Sequence, residues 1–365
     1  MVTRSSAPAV PIPLRVTYDH RLGGRWTSIA GGGRQWLWTG PDGGRDQVLP
    51  GDPFVDAGGL EECVPTVRGT PDHGDAWSRP WRVTGPGTAT VECPDFTLTR
   101  RLTDEGGVVV ADYRLRAAPG YRFVWAAHAL LDLGPEARLV APAGTPTRLY
   151  PEAAELVRSA VASSVRAPSA VVRSAGAPSV GAPSAVARAA VPDDSGGLPG
   201  HGGWPGGRPW HSAPWPEPEG LPLHRLGPDD GTAVGAVLVG CAEVRVVDGT
   251  DTLTLRLDCA DQPRSTALWR NLRGWPAERP YRSIGVEPML GTVFDRSEGG
   301  PDAAVAVVPA GGEVRWQLTI SAHRSDPDHG SDFAHGSDFA HGSDFAHGSD
   351  FAQLSAQRSP GGDHR

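Results

Sequence analysis

The sequence predicts a nearly all-β protein built as a large antiparallel β-sandwich. Apolar and polar residues alternate with a period of two in several segments. Turn residues punctuate those segments, and no segment sustains a helical period with caps. The 48 Gly and 36 Pro among 365 residues also argue against long helices, while twelve Trp can anchor a substantial core.

Taken along the chain, Arg34–Thr39, Thr88–Cys93 and Phe96–Thr103 are short runs bounded by Gly, Pro or Asp, as hairpin-linked strands are. Val109, Ala111, Tyr113 and Leu115 form an apolar face against Asp112, Arg114 and Arg116. From Tyr121 to Leu133, one face carries Tyr121, Phe123, Trp125, Ala127, Ala129, Leu131 and Leu133. The other carries Arg122, Val124, Ala126, His128, Leu130 and Asp132. The same period returns in Leu253-Leu255-Leu257 and in Val314-Trp316-Leu318-Ile320.

Two stretches break the pattern. Residues 159–203 are rich in Ala, Pro, Ser and Gly, with near-copies of Ala-Pro-Ser-Ala-Val, and read as a disordered insertion in a loop. Residues 323–365 hold His-Gly-Ser-Asp-Phe-Ala four times in tandem from His329 to Ala352, a low-complexity tail. The expected organisation is one β-sandwich over residues 1–322, interrupted once and followed by that tail.

The net charge of −8, with Arg spread along the chain, supplies no footprint for DNA or RNA. Prolines break the only apolar run near the N-terminus, and no run reaches the roughly 18 apolar residues of a membrane span. The expectation is a cytoplasmic protein, monomeric or weakly dimeric, with Cys63, Cys93, Cys241 and Cys259 as reduced thiols.

Three segments concentrate residues able to do chemistry. Asp72-His73-Gly74 is followed by Trp77, Arg79 and Trp81, a set that could wall a sugar site or simply anchor a loop. His128 stands on the mixed face of its strand beside the small Ala126, where a ligand would find room. Glu287 interrupts an apolar run, and Pro288 holds its backbone extended; an unpaired buried carboxylate is costly, so it should be partnered or line a cleft. Glu61 and Glu62 are further ligand contacts or turn caps, and Trp204, Trp210 and His211 are candidates for a cleft rim. Asp229-Asp230-Gly231 reads as a turn.

Together, Gly59-Leu60-Glu61-Glu62-Cys63-Val64-Pro65, Asp72-His73-Gly74, the strand His128 and Val286-Glu287-Pro288 resemble the aldose 1-epimerase (galactose mutarotase-like) family, in order and spacing over most of residues 10–322. The resemblance implies a β-sandwich supersandwich with a sugar site on a concave sheet face, Glu287 as general base, His128 as general acid and His73 bonded near the ring oxygen. It implies a monosaccharide or sugar derivative as ligand, bound with the help of Glu62, Asp72, Trp77, Arg79 and Trp210, with no metal and no cofactor. Where the family usually shows an aromatic-Asn pair after the strand His, this chain has Ala129-Leu130-Leu131-Asp132, which leaves the sugar open. Two alternatives remain at this point: a carbohydrate-binding or sensing protein on the same fold, and a glycoside hydrolase or lyase using Glu62 and Glu287 as its carboxylates.

Overall fold

The computed structural model describes residues 9–40, 43–150, 210–276, 278–298 and 303–325. The sequence insertion at 159–203 and the repeats from His329 onward lie outside them. Two large antiparallel sheets carry the described chain. The first runs, in spatial order, His211–Pro214, Pro146–Leu149, Thr232–Val239, Arg264–Leu272, Arg282–Leu290, Trp125–Leu131, Leu60–Cys63, Arg25–Gly31 and Arg15–Asp19. The second runs Arg138–Val140, Glu243–Asp248, Asp251–Asp258, Glu313–Arg324, Val108–Ala117, Phe96–Glu105, Thr88–Glu92 and Arg82–Gly85. The helical segments among the described residues are short 3-10 turns, and none is long and apolar enough to cross a membrane.

The alternation in the sequence is what closes the sandwich. Tyr113 and Trp316 stack with centroids 5.3 Å apart, and Trp125 from the first sheet packs against them at 4.8 and 5.1 Å. Offset and tilted aromatic contacts of this kind add to the apolar area they bury. The four cysteines are unpaired.

One expected strand is shorter than its pattern. Tyr121–Leu133 resolves into Arg122–Phe123, paired with Ala306–Val307, and the separate strand Trp125–Leu131. All seven residues of Trp125–Leu131 are buried, because one face meets the second sheet and the other lies beneath loops. Val67, Val293 and Phe294 form part of that cover, in an apolar cluster with Ala126, Ala267 and Met289.

Candidate active site

The Trp125–Leu131 strand lies between Leu60–Cys63 and Arg282–Leu290. Ala126 pairs with Cys63 and Met289, His128 with Glu61, and Leu130 with Gly285. Paired residues share a face, so this register brings His128 and Glu287 level with each other on the loop-covered side. His128 Nε2 stands 3.7 Å from Glu287 Oε1, too long for a hydrogen bond and within ion-pair reach. Exposure is 8% for His128 and 2% for Glu287.

Burial pushes the Glu287 carboxyl above its ordinary value; the neighbouring His128 opposes that shift and Asp56 adds to it. Burial pulls the His128 imidazole below its ordinary value, against the attraction of Glu287, while His73 reinforces the fall. Each group moves toward the ordinary pKa of the other, which favours proton exchange between them.

Gly285 makes this arrangement possible. A Cβ there would lie 2.3 Å from Glu287 Oε1 and 2.9 Å from Trp269 Cβ, so the missing side chain is the space the carboxylate occupies. Gly285→Ala is therefore expected to displace the Glu287 carboxylate from His128. An NMR titration of His128 reads this directly: its pKa should fall further as the group that raises it moves away, and an unchanged titration would contradict the placement.

His73 reaches the site from a loop. It adopts a left-handed backbone (φ 57°), and the following Gly74 (φ 78°) lets that loop pack on the Val64 main chain. Its Nδ1 is 3.0 Å from Asp72 Oδ2, and Asp72 is in turn held by Arg68 at 3.0 Å. The His73 ring lies edge-on to His128, with centroids 5.1 Å apart at 86°. Phe54 stacks on His73 at 3.5 Å and 9°, and meets His128 at 5.6 Å and Trp77 at 4.9 Å edge-on. His73, His128 and Glu287 are thus all buried in this structure, with Phe54 stacked on His73 and edge-on to His128.

The other expected ligand contacts are distributed unequally. Glu62 is corrected by its direction: it pairs with Ala127, points between the sheets and is fully buried. It accepts hydrogen bonds from Arg100 (2.7 Å), Tyr113 (2.9 Å) and Trp125 (2.9 Å). The adjacent Glu61 faces the site side instead, bound by Arg45 at 2.9 and 3.2 Å, and burial pushes its carboxyl up to about 7. Glu62 and Glu287 therefore point to opposite faces and do not form a hydrolase's carboxylate pair. Trp77 is buried, with Arg45 over its ring, and Arg79 reaches Asp75 at 3.5 Å. Trp210 packs on Tyr150 and Phe294 and donates to Glu298 at 2.6 Å, beside Arg148. His211 pairs with Glu219 at 2.8 Å, and Trp204 lies outside the described residues. Asp229 receives Arg273 and Arg282 and Asp230 caps Thr232, as a turn requires.

Sequence reasoning missed Phe54, Asp56 and Tyr281. The Tyr281 hydroxyl donates to Asp56 at 2.5 Å, and Asp56 is near enough to influence both Glu287 and His128. Gly285 did carry a signal, as a glycine two positions before the carboxylate on the same strand face.

No protein-family model matches the chain, and no curated protein matches it by sequence. Solved structures do match. A candidate aldose 1-epimerase from Escherichia coli K12 superposes with a TM-score of 0.52 at 11% identity, over 87% of this chain and 99% of that one. A galactose mutarotase related enzyme from Lactobacillus acidophilus gives 0.51 at 10% identity, over 87% and 98%. A candidate aldose 1-epimerase from Klebsiella pneumoniae gives 0.51 at 12%, over 86% and 78%. The chain has the galactose mutarotase-like β-sandwich fold.

Proposed function

We propose that this protein is an aldose 1-epimerase-type isomerase that interconverts the anomers of a free sugar. The observation carrying the reading is the 3.7 Å approach of His128 Nε2 to Glu287 Oε1 on one buried sheet face. Two such atoms can address both oxygens of one anomeric carbon, the hydroxyl O1 and the ring O5.

Glu287, as general base, removes the O1 proton. The C1–O5 bond breaks as O1 becomes the aldehyde oxygen, and His128, as general acid, delivers its proton to O5. Rotation about C1–C2 turns the other carbonyl face toward O5. Ring closure returns one proton to His128, and Glu287 gives the other back to O1. The proton inventory closes on these two side chains, and each transfer contributes about 10²–10⁴-fold. In this reading His73, with its Nδ1 held by Asp72, hydrogen-bonds the sugar near its ring oxygen. The ligand class is a monosaccharide or sugar derivative, handled by a cytoplasmic monomer or weak homodimer.

The pKa directions give a pH dependence. The acidic limb, where Glu287 becomes protonated and stops acting as base, lies above the ordinary 4.5. The basic limb, where His128 loses the proton it must donate, lies below the ordinary 6.5. A plot of kcat/KM against pH is expected to be a bell narrower than two independent groups would give. A broad plateau reaching well above pH 6.5 would contradict the assignment of the acid.

A sensing role on the same fold is the second reading, favoured by Phe54, which stacks on His73 and meets His128 edge-on. Polarimetry on freshly dissolved aldose anomers separates the two. Isomerase activity accelerates equilibration above buffer, whereas a sensor binds sugar and leaves the rate unchanged.

A further inference from the structure

We propose that residues 53–56 form a strap closed on the acid–base site, with Phe54 as its plug and the Asp56–Tyr281 bond as its latch, and that the strap opens to admit sugar. The proposal rests on the isomerase reading of Glu287 and His128 and adds control of access to that site. A side chain that transfers a proton must come within about 2.6–3.2 Å of the sugar oxygen. His73, His128 and Glu287 are 7%, 8% and 2% exposed, so no sugar reaches all three until something moves.

The Phe54 ring takes up the space beside both histidines. It stacks on His73 with centroids 3.5 Å apart and planes at 9°, and it meets His128 edge-on at 5.6 Å. Rings in van der Waals contact leave no room for a pyranose on that face of His73. Phe54 itself is half-buried and follows the exposed Asp52 and Pro53, so its ring belongs to the outer layer of the cover.

The ties of each covering segment decide which one moves. The His73 loop is held through its main chain: His73 N–H donates to the Val67 carbonyl at 3.1 Å, Asp75 N–H to the Val64 carbonyl at 2.7 Å, and Val67 N–H to the Phe294 carbonyl at 2.8 Å. Residues 53–56 belong to no strand or helix. Among the described residues they make no main-chain hydrogen bond to another element; the Val55 carbonyl accepts from Ala57, two residues on. Their polar tie to the sheet is a side-chain bond, from the Tyr281 hydroxyl to Asp56 Oδ2 at 2.5 Å. Tyr281 leads directly into Arg282–Leu290, the strand that carries Glu287. A segment with so few backbone bonds opens at the low end of a protein's local stabilities. Glycines bracket it: Gly51 (φ 94°) has open space where a Cβ would stand, whereas Gly58 (φ 71°) is packed on the Trp38 carbonyl. Gly51 can absorb a change of backbone direction while Gly58 holds the other end. Opening thus breaks the Phe54 ring contacts and one charge-assisted hydrogen bond, and leaves the strands and the His73 loop in place.

Carbethoxylation of the full chain by diethyl pyrocarbonate, read by mass spectrometry at each histidine, tests the strap without any sugar. Near pH 7.5 the His128 imidazole, held below its ordinary pKa by burial, is neutral and reactive, so its rate reads exposure. In the wild type His128 is expected to react about a hundredfold more slowly than N-acetylhistidine. Tyr281→Phe, which removes the latch hydroxyl, should raise that rate by roughly tenfold. Phe54→Ala should raise it at least as far. Adding Tyr281→Phe to Phe54→Ala should change it no further, because the latch acts through the plug. Phe54→Leu, which loses the ring and keeps an apolar side chain, should move the rate in the same direction and decides the matter if Phe54→Ala fails to fold. A wild-type His128 as reactive as N-acetylhistidine, an unchanged rate in either single variant, or a double variant showing the product of both effects would overturn the proposal. If no aldose is exchanged while these rates behave as expected, the strap stands and the isomerase reading falls. Exchange by the wild type with unchanged rates in the variants refutes the strap alone.

Discussion

Glu287→Gln is expected to lower anomeric exchange by about 10²–10⁴-fold while leaving the protein folded. The amide keeps the shape of the carboxyl but cannot take the O1 proton. Stability should hold for a reason that can be checked by sign. The folded carboxyl is raised, so over the window above its ordinary value the unfolded chain has released a proton that the folded chain retains. Stability then falls as pH rises through that window, and a neutral amide removes this cost. The His128 pKa should also fall, since the negative charge of Glu287 is what chiefly opposes the effect of burial there. Unfolding in urea at several pH values, NMR titration of His128 and exchange kinetics together distinguish a lost base from a lost fold.

The largest effect on stability is expected between the sheets. Glu62→Leu leaves Arg100, which is 1% exposed, without the carboxylate that binds it at 2.7 Å, and leaves the Tyr113 and Trp125 donors unanswered. Removing one partner of a buried ion pair costs about 3–5 kcal/mol. Replacing the pair together, as Glu62→Leu with Arg100→Met, should recover much of that loss because no buried charge remains. Denaturant unfolding of both single variants and the double variant completes the cycle. A cost below about 1 kcal/mol for Glu62→Leu would show that this network contributes little.

The strands were legible wherever one face meets the core and the other meets water. Val108–Ala117, Asp251–Asp258 and Glu313–Arg324 keep the alternation that announced them. The pattern loses information where both faces are buried. Leu60-Glu61-Glu62-Cys63 is buried throughout, so nothing in its composition says which glutamate turns toward the site. A one-residue difference in parity sends Glu61 to Arg45 and Glu62 to Arg100. His128 and Glu287 were each suspected from their own strands, but their meeting depends on the register of two strands far apart in sequence. Phe54, Asp56 and Tyr281 have no local signature at all, because loops deliver them and only the closed fold brings them together.

The central claim is that Glu287 and His128 act on one anomeric centre, and exchange spectroscopy on sugar anomers measures this most directly. With wild-type protein, the anomeric resonances of at least one aldose should show exchange faster than in buffer. Glu287→Gln should restore the buffer rate without abolishing sugar binding. Binding of a sugar with no acceleration by the wild type, or equal acceleration by Glu287→Gln, would contradict the account.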